Sequence, residues 1–182
     1  MNKTIEILKS VYGEDVSLEE ILQKKINLED QTVQKRFFSI LKKVYSEQMP
    51  FNRLLGIKVD NLSMEKAIVS ISMKDELIGN YEQKILHGGV ISSIMDLTGG
   101  VIAQVNALRQ MENYTIKDAI SSFSKMSTID MRVDFLRPGR GEQFICTGWI
   151  VRSGNKVAVT RMEVHNNDQN QIALGTGTYL VG

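Results

Sequence analysis

The sequence predicts an α+β protein in which an antiparallel sheet wraps one long central helix, with a helical extension at the N-terminus. Three observations predict it. Asp96 is the only charge between His87 and Arg109, so the segment between them reads as a buried helix. After residue 127, four runs with strand character follow one another, separated by turn sequences. Before Pro50 the apolar residues keep helical spacing.

Within the extension, Ile5, Leu8 and Val11 recur every three residues. Ser17 precedes Leu18-Glu19-Glu20, a capping-box pattern that opens a short helix. Val33, Phe37, Ile40, Leu41 and Val44 mark a third, amphipathic helix. Pro50 is expected to end this arm. The domain boundary follows: a helical extension over 1–50 and a sheet domain over 51–182.

From Gly56 the period changes. Ile57, Val59, Ala67, Val69, Ile71 and Met73 alternate with polar residues, which predicts two strands around a turn at Asn61–Glu65. The central helix is expected over 88–110. Residues 112–126 are polar and read as a loop or a short helix. Strands follow at 127–136, 142–153, 156–166 and 170–181. Pro138-Gly139-Arg140-Gly141, Gly154-Asn155 and Asn166-Asn167-Asp168 supply the turns between them. A helix apolar on most faces needs cover nearly all round. One sheet covers one side, so a second copy or another element must cover the other. An obligate homodimer is the expectation, and the sequence does not decide between that dimer and a dimer of dimers.

Composition narrows the function. The 182 residues suit one domain with an appendage, and 42% hydrophobic content supports a packed core. A net charge of +1 gives no general pull toward nucleic acid or an anionic membrane. Cys146 is the only cysteine, so no intrachain disulfide forms, which fits a reducing, cytoplasmic setting. Charges interrupt the first residues too often for a signal peptide. Residues 88–108 are long enough to span a bilayer, but Asp96, Gln104, Asn106 and four glycines favour a buried soluble helix over membrane insertion. Two histidines and one cysteine have no metal-ligand spacing, and no phosphate loop or dinucleotide fingerprint occurs. Neither a metal nor a separate cofactor is expected.

The chemistry points to the start of the central helix. Gly88 and Gly89 lie in its first turn, where backbone N–H groups lack intrahelical acceptors and the helix dipole is positive. Glycine there serves either close helix–sheet packing or an oxyanion hole for an ester or thioester carbonyl. Asp96 is either a catalytic carboxylate or a cap on a neighbouring backbone. It lies about 12 Å along the axis from Gly88. One reacting carbon must sit about 3 Å from both. Two antiparallel helices across a two-fold axis would meet that requirement. His87 caps the helix, orients the glycine turn or touches substrate.

With these residues in view, His87-Gly88-Gly89 followed by Asp96 resembles the hotdog-fold acyl-CoA thioesterases of the phenylacetate-pathway type. The run Asp130-Met131-Arg132-Val133-Asp134-Phe135-Leu136-Arg137-Pro138-Gly139 and the hairpin Val151-Arg152-Ser153-Gly154-Asn155-Lys156 extend the similarity over roughly 52–182. The resemblance implies a hotdog fold and Asp96 as nucleophile or general base. It implies amide donors at Gly88 and Gly89 beside His87. Asn80 stands near an asparagine that holds substrate or water in relatives, one residue further from the histidine than in some of them. Thr128 falls where relatives carry a water-orienting serine or threonine. Arg137, Pro138, Arg152 and Lys156 are implied contacts for coenzyme A, which is part of the substrate. The extension and residues 112–126 depart from the minimal pattern and are candidates either to cover an acyl pocket or to mediate higher assembly; Met95, Met111, Met126 and Met131 would line such a pocket if they are not simply core.

Hydrolysis of an acyl-CoA thioester is therefore the expected activity. A hotdog hydratase or dehydratase is a rival, but such relatives use histidine as acid/base, whereas His87 abuts a Gly-Gly helix start. A non-catalytic acyl-CoA-binding regulator is a second rival. The arm's balanced charge, eight Lys/Arg against eight Asp/Glu by count over 1–49, speaks against DNA binding.

Overall fold

The computed structural model describes residues 2–111 and 113–182. The arm begins with α1 (Asn2–Tyr12), α2 (Leu18–Leu22) and α3 (Gln31–Lys43). Ser17 and Glu20 form the expected capping box at α2, and Asp30 caps α3 by accepting from the Thr32 and Val33 amides. A π-helical turn, Val44–Gln48, follows directly. The helical run does not stop at Pro50 as expected. Proline is tolerated at a first helical position, where its missing N–H has no intrahelical role. Pro50 accordingly opens α4 (Pro50–Leu55), which ends at Gly56 in the left-handed region, φ 77°.

β1 (Lys58–Leu62) and β2 (Lys66–Ser72) form the first hairpin. A short ribbon, β3 (Ile78–Asn80) with β4 (Ile85–Leu86), leads into the central helix α5 (Gly88–Arg109). The sequence did not suggest this ribbon, because two or three residues are too few to show alternation. The ambiguous segment after α5 contains a helix, α6 (Ile116–Phe123), closed at its start by a Thr115–Asp118 capping box. The last four strands are β5 (Ser127–Phe135), β6 (Gln143–Ser153), β7 (Val157–Asn166) and β8 (Gln171–Leu180). All fall within a residue or two of their expected bounds.

The main sheet has the order β1-β2-β6-β7-β8-β5 and is antiparallel throughout. Its alternating buried residues, such as Val69, Cys146, Met162 and Ala173, close over one side of α5. The arm answers part of the covering problem on the other side. Tyr45, on the π-turn, is 5% exposed, and its hydroxyl donates to Gln104 Oε1 at 2.7 Å. The arm's buried residues, among them Leu8, Phe37 and Leu41, belong to the same apolar cluster as the sheet and α5. Cover is complete over Val101–Val105. Ser92, Ser93, Asp96, Leu97 and Gly100 form a half-buried strip nearer its start. The helix is long and apolar enough to cross a membrane, but most of it is buried inside this core.

Candidate active site

Asp96 lies mid-way along α5, half-buried, with its side chain at a wall of the sheet's last strand pair. Thr128 Oγ1 donates to Asp96 Oδ1 at 2.8 Å. A β-bulge makes this contact. β5 shifts register against β8 between Thr128 and Asp130. Met131 and Val133 pack inward, while Asp130 and Arg132 stand outward. Strict alternation would turn Thr128 outward with Asp130. The extra residue at the bulge turns it inward instead, and leaves Ile129 56% exposed.

Tyr179, on β8, holds the helix from below. Its hydroxyl donates to the Asp96 main-chain carbonyl at 3.1 Å. Burial, reinforced by the nearby Asp96 charge, pushes this phenol well above its ordinary pKa, so it remains a donor. A Cβ at Gly99 would collide with that same hydroxyl, which explains the glycine. The sequence reading missed Tyr179. A signal was present: Gly177, two residues before it on the same face of the strand, clears space for a large ring.

The start of α5 is built by His87. Its Nδ1 accepts from the Gly89 N–H at 2.8 Å, so His87 is the N-cap. That bond occupies the Gly89 amide. The Gly88 N–H has no acceptor among the described residues and is half-exposed. A Cβ at Gly88 would lie 3.4 Å from the Phe135 ring, so the far end of β5 borders this amide. Gly79 was also missed. A Cβ there would stand 2.7 Å from the His87 Cα, so β3 can lie against the cap only as glycine. The Arg-Pro-Gly turn buttresses the same corner, with Gly139 C=O accepting from the Leu86 N–H at 2.9 Å.

The other expected site residues are more scattered. Asn80 Oδ1 accepts from the Glu82 and Gln83 amides and shapes the β3–β4 turn. Arg137 is exposed and donates to Gln171 C=O at 2.9 Å, at one end of the sheet, with Pro138 exposed beside it. Arg152 and Lys156 are exposed at the β6–β7 hairpin, level with Leu180 at the opposite end. Gln171 to Leu180 is the full length of β8, roughly 30 Å of strand. One chain therefore does not gather these cations around one phosphate. His165 lies half-buried on β7, away from the site.

A cavity of about 230 Å³ opens beside Asp96 and Thr128. The arm contributes Tyr45 and Met49 to it, and the α6 segment contributes Phe123 and Met126. Of the four methionines considered for a pocket, Met126 alone lines this one. Met95 is fully buried core, Met131 packs half-buried against the core, and Met111 is 40% exposed.

An antiparallel sheet thus wraps a helix whose first turn offers a free amide, with a hydrogen-bonded carboxylate further along. Comparison with known proteins gives the class of the chain. Residues 83–173 match the family model described as "Thioesterase superfamily". The medium/long-chain acyl-CoA thioesterase YigI of Escherichia coli K12 is 45% identical over 134 residues, covering 74% of this chain and 86% of that protein. A crystal structure from Shewanella oneidensis, related to the thioesterase superfamily, superposes with a TM-score of 0.78 at 43% identity, covering 82% of this chain and 98% of that one. The PaaI protein of the E. coli phenylacetic acid degradation operon shares the fold, with a TM-score of 0.61 at 21% identity over 75% of this chain and 87% of that one. The chain belongs to the thioesterase superfamily, with the hotdog fold, and is a thioester hydrolase by class.

Proposed function

We propose that the protein hydrolyses acyl-CoA thioesters in a cleft shared by two copies of the chain. Asp96 attacks the thioester carbon or activates the water that does. Gly88 N–H of the partner protomer donates to the carbonyl oxygen as negative charge develops there. Water supplies the oxygen of the product acid, by direct addition or by hydrolysing the anhydride formed with Asp96; the C–S bond breaks, and the leaving thiolate takes up the proton that water gives up. Thr128 orients the Asp96 carboxylate. No cofactor beyond the coenzyme A of the substrate enters this scheme.

The observation that carries the reading is the Thr128–Asp96 hydrogen bond at the mouth of an apolar cavity. Sharing is supported by separation along α5, because one helix holds Asp96 and Gly88 about 12 Å apart. β5 is an edge strand, and Ile129 and Phe135 on it are 56% and 55% exposed. Such an edge invites a strand of its own kind. Antiparallel pairing of β5 with its copy, about a two-fold axis between Met131 and Arg132, would set Thr128 opposite Phe135 of the partner protomer. Asp96 would then face the partner's Gly88, and the partner's Arg137 would join Arg152 and Lys156 at one end. An acyl-CoA substrate is supported by the E. coli relative, which is a medium/long-chain acyl-CoA thioesterase.

Asp96→Asn, assayed for thiol release from acyl-CoA, tests this. Losing a positioned base or nucleophile should slow turnover by about 10²–10⁴-fold. Near-normal kcat in a folded protein would sink the assignment.

A further inference from the structure

We propose that the cavity beside Asp96 is an acyl pocket, that Gly100 exists to keep it open, and that the arm's Tyr45 with Phe123 forms the end wall that sets acyl length. The proposal rests on the thioesterase reading above and extends it to substrate length.

Gly100 carries the first part. Glycine inside a helix costs about 1 kcal/mol relative to alanine, so a mid-helix glycine calls for a reason. Gly99 has one, since any Cβ there strikes Tyr179. Gly100 has none in the packing within its own chain. A Cβ at Gly100 would meet only the Tyr179 ring, at 3.6 and 3.9 Å, which is ordinary contact. Gly100 does line the cavity, one turn beyond Asp96 on the same face of α5. Its missing side chain is space that the fold itself does not use.

The end wall carries the second part. Tyr45 and Phe123 stack with ring centroids 5.2 Å apart and planes tilted by 37°. One ring comes from the arm and the other from α6, so two segments outside the sheet meet there. Tyr45 is fixed by its bond to Gln104 and by its place on the π-turn, and such turns often occur at functional sites. The same turn ends beside Met49, so the arm presents both residues to the cavity. A straight apolar chain, with its thioester at Asp96, fits the lining chemistry. A charged or branched polar acyl group does not.

The test is a length profile. kcat/KM is measured for saturated acyl-CoA substrates from four to sixteen carbons with the wild type, Gly100→Ala and Phe123→Ala. Binding of non-hydrolysable S-alkyl-CoA thioethers of the same lengths is measured by calorimetry. Wild-type affinity should rise about fourfold per methylene, the value of burying one such group, and level off within the series, where the chain meets the end wall. Gly100→Ala should raise the melting temperature, yet lower the ratio of long- to short-chain kcat/KM about tenfold. Phe123→Ala should raise that ratio by a similar factor. Should Phe123→Ala fail to fold, Gly100→Ala decides alone. Affinity independent of length, or profiles of the folded variants superimposed on wild type, would overturn the pocket. Absence of turnover in the wild type would overturn the thioesterase reading instead, and the thioether measurements would still decide the pocket.

Discussion

Thr128 Oγ1 donates to Asp96 Oδ1 at 2.8 Å across 32 positions of sequence, from an edge strand to the middle of the central helix. A bulge turns the threonine inward, and Tyr179 holds the helix backbone at the same residue. The carboxylate is thus oriented from the side chain and anchored at the main chain. Among the described residues no cation pairs with it.

Removing the threonine hydroxyl should therefore matter without unfolding the protein. Hydrogen bonds to charged groups contribute about 1.5–3 kcal/mol, so Thr128→Val should lower kcat by roughly ten- to a hundredfold. Thr128→Ser should recover most of the rate. Steady-state kinetics on both variants, with KM compared between them, checks this. Equal rates for valine and serine would deny the hydroxyl a role.

A cleft shared between two copies, as proposed, predicts complementation. Gly88→Pro removes one N–H at a first helical position, where proline is tolerated, and His87 already has the extended backbone that precedes proline, φ −63° and ψ 134°. Gly88→Pro and Asp96→Asn homodimers should each be inactive. Mixed dimers restore one intact site if the two groups act across the interface. Mixing by co-refolding, with thiol release as readout, would leave activity absent if both groups served one site within one chain.

The adjacent glycines should respond oppositely to the same substitution. Gly99→Ala drives a methyl into the Tyr179 hydroxyl and should destabilise the fold by about 1–3 kcal/mol despite the better helix propensity of alanine. Denaturant unfolding of Gly99→Ala beside Gly100→Ala measures the contrast. A stabilised Gly99→Ala would show that the tyrosine moves aside freely.

His87 is argued to act first as a cap. His87→Ala should cost about 1 kcal/mol through the unsatisfied Gly89 amide, and His87→Asn should restore much of it. The comparison is made by denaturant midpoint. Indistinguishable midpoints for wild type and alanine would mean that water replaces the ring without cost.

Cys146 should be silent in the folded protein. Burial pushes its thiol up to about 12, so at pH 8 the folded chain carries almost no thiolate. Alkylation by iodoacetamide should follow global unfolding, giving no labelling without denaturant and full labelling with it. Rapid labelling of native protein would show that the core around β6 opens locally.

Local pattern carried much of this protein into its sequence. The apolar run from Gly88 to Arg109 announced its own helix, because only burial tolerates so few charges. Period-two alternation and Gly/Asn turns marked β5 to β8 nearly to the residue, since strand and turn chemistry are local. The His87-Gly88-Gly89 start and Asp96 were legible for the same reason: a cap, a close backbone and a lone carboxylate are each written in a few adjacent positions. Tertiary structure decided what those groups meet. Only the packed chain shows that His87 already occupies the Gly89 amide and leaves Gly88 free. A one-residue bulge reversed the face of Thr128, which no alternation rule foresees. Tyr45, Phe123 and Gly100 meet at one cavity although far apart in sequence, and Arg137 lies a sheet's length from Arg152. Such relations depend on which distant surfaces fit together, and long-range packing leaves no periodic trace in the chain.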